Sequence, residues 1–553
     1  MNNKMQVKHG LNLAAKGEWQ QAAAAFRRAL EQDPADPETY NYLGDIQLRE
    51  KLYKEAEDSF RQAIGLNPEY VEAYNNLGVL LLQLNRLEEA RECLLAAVRR
   101  RSGYAAAYIN LGLIYVREQN LEEAENVFRR AIELNPENPE VYNNLGLVFK
   151  SKNRFEEAKA CFGRAIQLKA NYPEVYNNLG LIFKDSGQVE EAGACFCRAI
   201  QLRPAYPEAY NNLGVLLMSI NNLDKAETCF QRAIQQNPAF FEAEFSLAVL
   251  YLLRGEYEKG WEKYDKSRVV INYGADQPQA PAWQGEDLRG RRILLYYEQG
   301  FGDTLQFARY AQTVADQAGE LVLWVQQPLQ RLFISSFPFL KVHRGENMPA
   351  ESFDFACPLP SLPRIFNTTT AEIPQGIPYI KPSADITLKW HQILSQGDKR
   401  KRYRVGAVWA GNPRHHNDRN RSIPFDLFNN LFCLTNVIWV SLQTGSRARE
   451  LEKSPYTVFS YTEELVDFAE TAGLIANLDL VITVDSAVAH LAGAMGKRTW
   501  LLLPFAPDWR WQLERSDSPW YPTVQLFRQS KIGDWQEVLG RVKENLKRAL
   551  DKR

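Results

Sequence analysis

The sequence predicts a solenoid of paired helices followed by an α/β region built on parallel sheets. Three observations lead there. Single residue types recur every 34 residues through the first half, apolar runs of strand length alternate with helical stretches through the second, and composition changes where the two meet. Of the 12 tryptophans, ten lie beyond residue 272, while five of the seven cysteines lie before it.

The periodic half comes first. Gly10, Gly44, Gly78, Gly112, Gly146, Gly180 and Gly214 stand 34 residues apart without a slip, and so do Ala22, Ala56, Ala90, Ala124, Ala158, Ala192 and Ala226. A third series runs Phe26, Phe60, Leu94, Phe128, Phe162, Phe196 and Phe230 and continues at Tyr264, while Pro34, Pro68, Pro136, Pro204 and Pro238 close units. Leu-Gly in a first helix, Ala-x3-Phe in a second and Pro at the turn form the tetratricopeptide pattern. An all-α solenoid of eight such units is expected over residues 1–270. The eighth unit departs, with Ala248, Gly260 and Ser267 at the usual Gly, Ala and Ala, as a terminal repeat does when its neighbour is another domain. His9 stands in the first unit where the others carry Leu, which an exposed cap tolerates.

Before each Leu-Gly stands an asparagine: Asn76, Asn110, Asn144, Asn178 and Asn212, with Tyr42 and Ser246 ending the series. An amide both donates and accepts, so this ladder is a candidate for holding the backbone of an extended protein or peptide partner. The alternative is that these asparagines bond neighbouring helices. Cys161, Cys195 and Cys229 share the 34-residue period and read as packing residues of the second helix rather than metal ligands.

Residues 271–291 read as a Pro-, Gly- and Gln-rich linker that packs through Trp283. Strand-length runs follow at 293–298, 321–325, 405–410, 437–442, 479–484 and 499–504, with helical stretches at 304–317 and 471–478. The charged segment 394–404 divides them, so two Rossmann-like lobes are expected, at 292–395 and 396–553, with a cleft between. Gly300 and Gly302 make a tight strand-to-helix turn with Asp303 at the helix start. Leu305 stands where the dinucleotide fingerprint needs Gly, and no phosphate-gripping G-x4-G-K-[ST] occurs. Near residue 485 a strand ends at Val484, Asp485 and Ser486 form a bend, and a small-residue helix carries His490. Its N-terminal amides suit a diphosphate, or the same residues are an ordinary cap beside a core histidine.

Lys plus Arg number 66 and Asp plus Glu 67, a net charge of −1, which excludes a surface built wholly for nucleic acid. The odd cysteine count fits no disulfide framework. No signal peptide or transmembrane segment is expected, so the chain reads as cytoplasmic.

GFGD at 300–303 and VDSAVAHLAGAMGK at 484–497 resemble motifs of the bacterial heptosyltransferases, and repeats joined to such a domain resemble the O-linked N-acetylglucosamine transferases. EQGFGDTLQFARY at 298–310, Trp409 to Pro413, Asn417 to Arg419, Arg421 to Pro424, FAPDWRW at 505–511 and SPWYP at 518–522 resemble blocks of bacterial tetratricopeptide-repeat glycosyltransferase-like proteins. The resemblance implies a GT-B fold with the donor nucleotide on the C-terminal lobe. It implies a metal-independent, inverting transfer from a nucleotide sugar, which enters as a substrate; no cofactor is called for. Asp303 would be the general base, with a plain N-cap as its rival role. Arg421, standing where heptosyltransferases carry a Lys, would meet the donor phosphates, or else is a surface arginine beside Arg414, Arg419 and Asp418. Gly302, Ser486 and His490 would face the diphosphate, Gln443 the base, and Asp485 would orient the turn. His415 and His416 are secondary candidates. Trp509, Trp511, Trp520 and Tyr521 would pack the core or line a sugar subsite. The first lobe is short for a heptosyltransferase, so acceptor recognition is either shared with the repeats or reduced. The alternative function is a repeat-based interaction scaffold carrying a silent glycosyltransferase-like domain.

Overall fold

The structure, a computed structural model, describes residues 3–271, 278–396, 402–415 and 417–551. The expected linker residues 272–277, part of the charged segment 394–404, and His416 therefore lie outside the described residues. The chain divides into two compact units, Met1–Asn212 and Leu213–Arg553.

The first half forms the expected tetratricopeptide solenoid. Among the described residues eight helix pairs follow one another, from Asn3–Ala15 with Trp19–Gln32 to Phe241–Arg254 with Tyr257–Ile271. Asp36 and Asn138 cap two first helices, accepting from the backbone N–H of Glu38 at 3.1 Å and Glu140 at 2.9 Å, and Pro37 and Pro139 open them. Within each pair the chain reverses through one left-handed residue, at Gly17, Lys51, Asn85, Gln119, Asn153, Gly187, Asn221 and Gly255. That is an eightfold 34-residue series hidden from a reading by identity, because four residue types fill it.

The Gly and Phe series meet in space. A Cβ on Gly146 would lie 2.6 Å from the Phe162 ring, and one on Gly44 equally close to Phe60. The absent side chain lets the two helices of a pair close on a ring that is fully buried. Cys161 and Cys195 are half-buried and Cys229 is buried in second helices, as packing residues should be.

The second half holds two wholly parallel sheets. The first has the order β3 (Lys341–His343), β2 (Glu320–Trp324), β1 (Arg292–Tyr296), β4 (Phe355–Pro358). The second has the order β10 (Val524–Arg528), β9 (Thr499–Leu503), β8 (Leu480–Val484), β5 (Tyr403–Val408), β6 (Val437–Ser441), β7 (Val458–Ser460). Counted from its own first strand, the second sheet reads 3-2-1-4-5-6, the order of a doubly wound sheet, and the first repeats its 3-2-1-4 portion. All six expected strands are present. The four that were not expected lack the apolar run: β3 and β7 are three-residue edge strands, β4 ends in Pro358, and β10 alternates with Gln525 exposed. The helix expected over 304–317 is broken into Phe301–Phe307, a 3-10 turn at Ala308–Tyr310 and Ala311–Ala315.

The last repeat belongs to the core of this second unit. Leu252, Tyr257, Trp261 and Tyr264 are buried in one cluster with Ile293, Val405 and Trp520, and the Trp261 indole donates to the Thr368 carbonyl at 2.9 Å. Trp283 is buried there as well, its Nε1 donating to the Glu286 carbonyl at 2.9 Å.

The glycine series gives a test with an internal control. Gly146→Ala drives a methyl into the Phe162 ring, so it should destabilise the solenoid by about 1–3 kcal/mol in urea unfolding. Gly163→Ala, with nothing within 4 Å of the added carbon, should be neutral or stabilising by about 0.5–1 kcal/mol. Equal effects would contradict the close-approach argument.

Candidate functional site

Where a doubly wound sheet reverses direction, the loops leaving adjacent strands part and open a crevice at the strands' C-terminal ends. In the second sheet that point lies between β5 and β8, so the chain leaving Val408 toward Arg421 and the bend at Asp485 and Ser486 both begin there. In the first sheet it lies between β1 and β4, and β1 runs into Gly300 and helix Phe301–Phe307.

Helix Phe301–Phe307 crosses helix Ala487–Ala494 at Gly302. A Cβ there would come within 2.8 Å of the His490 ring, so only glycine permits the crossing. His490 is buried, its Nδ1 hydrogen-bonded to the Tyr521 hydroxyl at 3.0 Å and its ring 5.3 Å from that of Trp511. Burial, and then the positive charges of Arg510, Arg309 and Arg421, hold it well below the ordinary histidine value, so it is neutral.

Asp303 serves as the half-cap of its helix, Oδ2 accepting from the Gly300 N–H at 3.1 Å. Its Oδ1 is ion-paired with Arg510. Burial raises the carboxyl above its usual range, with Arg510 pulling the other way and Asp508 adding to the rise. Arg510 is held on all three nitrogens: beyond Asp303 it donates to Gln306 at 2.5 Å and to Asp508 at 2.8 Å, and its guanidinium lies 4.4 Å from the Trp509 ring.

Arg421 is not a surface residue. Its side chain is 14% exposed and folds against Gly411, its Nε 3.5 Å from Asp418 and without a hydrogen-bond partner. Asp485 lies in the same field: burial first, then Asp508, push its carboxyl up to about 6, against the pull of Arg421 and Arg510. Ser486 is the N-cap residue of helix Ala487–Ala494, yet its hydroxyl pairs with Thr483 at 3.1 Å and makes no cap bond. Among the described residues the amides of Ala487 and Val488 thus have no side-chain acceptor, and the Ala489 N–H bonds back to the Ser486 carbonyl at 3.0 Å.

Gln443 stands apart in role. Its Oε1 accepts from the backbone N–H groups of Trp409 at 3.2 Å and Ala410 at 3.0 Å, tying two loops together. His415 uses Nδ1 to accept from the Asn417 N–H at 3.2 Å. Trp509, Trp511, Trp520 and Tyr521 are all core residues. Reasoning from sequence gave no role to Arg510, Asp508 or Gln306. The available signal was an arginine inside the aromatic run WRW, where a solvated cation does not belong.

In the solenoid the asparagines bond their neighbours. Asn76, Asn110, Asn178 and Asn212 donate through Nδ2 to Asn41, Asn75, Asn143 and Asn177 at 3.0, 2.9, 3.0 and 2.9 Å. Asn144 accepts from Asn143 at 3.5 Å.

Comparison with known proteins finds matches in both halves. Residues 448–502, which include β8, Asp485, Ser486 and His490, match the family model of glycosyltransferase family 9 (heptosyltransferase). Residues 7–71 match the tetratricopeptide repeat and residues 67–249 the C-terminal domain of cilia and flagella-associated protein 70. The chain is 28% identical over 318 residues to protein FlbA of Caulobacter vibrioides, matching 53% of this chain and 52% of that protein. It thus spans about half the length of this curated relative. Among solved structures it is similar to Pseudomonas aeruginosa PilF, with 22% identity, 37% of this chain and 94% of that one covered and a TM-score of 0.35. YrrB, a tetratricopeptide repeat protein with an unusual peptide-binding site, aligns at 28% identity over 34% of this chain and 96% of its own, with a TM-score of 0.29.

Two outcomes follow from the buried charges. Arg510→Met leaves Asp303 and Asp508 uncompensated and should cost about 3–5 kcal/mol of stability, most of it restored by adding Asp303→Asn. Additive losses in the double variant would refute the pairing. The folded pKa of Asp485, about 6, lies above the ordinary 3.8, so the native chain keeps a proton that the unfolded chain sheds between them. Stability at this residue is therefore lost as pH rises through that window. Asp485→Asn should raise the melting temperature by about 2 °C or more at about pH 7.5 and change it little at about pH 4.

Proposed function

We propose that the second unit is a metal-independent glycosyltransferase of GT-B fold, with Rossmann-like lobes at 292–395 and 396–553, and that it inverts configuration. The repeats hold the protein or peptide that carries the acceptor hydroxyl. The observation that carries this reading is the open N-terminus of helix Ala487–Ala494, at the switch point of a parallel sheet and within the stretch matching glycosyltransferase family 9.

In this reading the donor diphosphate rests on the first amides of that helix, beside Ser486, where the helix dipole favours negative charge. Arg421, whose Nε makes no hydrogen bond, supplies the fixed cation that stabilises the departing nucleoside diphosphate. The acceptor oxygen attacks the anomeric carbon, the bond from that carbon to phosphate oxygen breaks, and the acceptor proton passes to Asp303. Burial supports the base by raising its pKa. A carboxylate has about four lone-pair positions, and Gly300 and Arg510 occupy two, so one oxygen can still take a proton. Neutral His490 keeps positive charge away from the crossing helices.

The Asp303–Arg510 pair is also what favours the second reading, a domain that binds a nucleotide sugar without turning it over. One experiment separates them. A panel of UDP-, GDP-, ADP- and dTDP-sugars is screened by thermal shift and by release of nucleoside diphosphate. One donor should stabilise the chain by about 2.7 kcal/mol at a hundredfold excess over its Kd. Arg421→Ala should lose that shift, whereas Asp303→Asn should keep it and lose turnover. Binding without turnover in the native chain would favour the silent module, and no shift with any donor would overturn both readings.

A further inference from the structure

The aromatic series of the repeats changes character at its last member. Seven repeats set Phe or Leu against their glycine, and those side chains cannot hydrogen-bond. The eighth carries Tyr264, buried on helix Tyr257–Ile271, and its hydroxyl reaches out of the repeat to donate to Gln299 Oε1 at 3.0 Å. One turn further along, Arg268 ion-pairs with Glu298. The helix thus grips two consecutive residues of the stretch that joins β1 to Gly300.

A set of hydrogen bonds leads from Gln299 to Asp303. The peptide unit between Gln299 and Gly300 accepts through its C=O from Gln326 Nε2 at 2.9 Å and donates its N–H to Asp303 Oδ2 at 3.1 Å. Gln326, just after β2, accepts in turn from the hydroxyl of Thr304, the residue after Asp303, at 2.9 Å. A peptide unit is planar, so tipping its C=O away from Gln326 also tips its N–H away from the carboxylate. That carboxylate would then be held by Arg510 alone and could swing toward it.

We propose that Tyr264 and Gln326 are positioning residues for Asp303, so that the last repeat takes part in orienting the proton acceptor of the transfer. Tyr264 anchors Gln299, Gln326 sets the tilt of the peptide unit, and the peptide N–H fixes Oδ2. This rests on the reading of Asp303 as the base and adds what aims it. It also accounts for a hydroxyl at the one place in the series where the ring meets another fold instead of another repeat.

The test compares Tyr264→Phe and Gln326→Leu with Tyr310→Phe in the full chain. Tyr310 serves as control because its buried hydroxyl bonds that of Thr368, at 2.7 Å, outside this set of bonds. With the donor found by the nucleotide-sugar panel, the first two variants should lower kcat roughly tenfold and leave the donor Kd within about twofold. The acid limb of their pH–rate profile should move to higher pH, because the Gly300 N–H is one of the contacts that lower the Asp303 pKa. Amide exchange across 299–303, measured without donor, should quicken in these two variants. Tyr310→Phe should lower the melting temperature as they do, yet change neither kcat, the acid limb nor that exchange. Native kcat and acid limb in both variants, or the same changes in Tyr310→Phe, would overturn the positioning role. If the native chain turns over no donor, the enzyme reading itself fails. Tyr264 is then a structural tether only, which quickened exchange in Tyr264→Phe would identify.

Discussion

Asp303 and Arg510 stand 207 residues apart in the chain and meet as a buried ion pair, and the second unit is arranged around that meeting. A buried charge without a partner costs several kcal/mol, so neither helix Phe301–Phe307 nor the turn Trp509–Trp511 can be placed without the other. One arginine binds Asp303, Gln306 and Asp508, drawing a helix that follows β1 and a turn that follows β9 into a single polar cluster. The aromatic residues around it finish the job. Trp509 packs edge-on against Trp261 at 5.2 Å, and Trp520 against Phe307 at 6.2 Å, so the last repeat and the sheets share a core.

This explains why the eighth repeat departs from the pattern of the others. A repeat inside the solenoid needs only to satisfy copies of itself, and the same glycine-on-ring contact serves at each step. Helix Tyr257–Ile271 instead meets Glu298 and Gln299 just after β1, the 3-10 turn Leu359–Ser361 and helix Leu362–Ile365. Buried Arg268 there pairs with Asp265 and Glu298 and donates to Ser361. Its residues are chosen by that surface and not by the period.

The solenoid was legible because one contact is repeated at fixed spacing, and six strands were legible because each is a continuous apolar run. What escaped depends on distant partners. β3, β4, β7 and β10 become strands only when a neighbour offers a ladder, and nothing local in KVH or FACP announces it. Gly302 and His490, singled out from the motifs, meet in space, Asp303 caps the helix that carries Gly302, and the charge of Arg421 reaches His490. The bonds by which Gln443 accepts from the Trp409 and Ala410 amides could not be read from any spacing. Arg510 was missed because its role is set by a carboxylate two hundred residues away. The ladder asparagines are visible as a series, yet their bonds across repeats are set by partners 35 residues away.

The functional claim comes down to whether the uncapped start of helix Ala487–Ala494 takes a diphosphate. Amide hydrogen exchange followed by mass spectrometry, with and without a saturating nucleoside diphosphate, reads those amides directly. Slowed exchange across 486–490 and around Arg421, with the solenoid unchanged, is the predicted result. Unchanged exchange at 486–490, while another segment becomes protected, would contradict it.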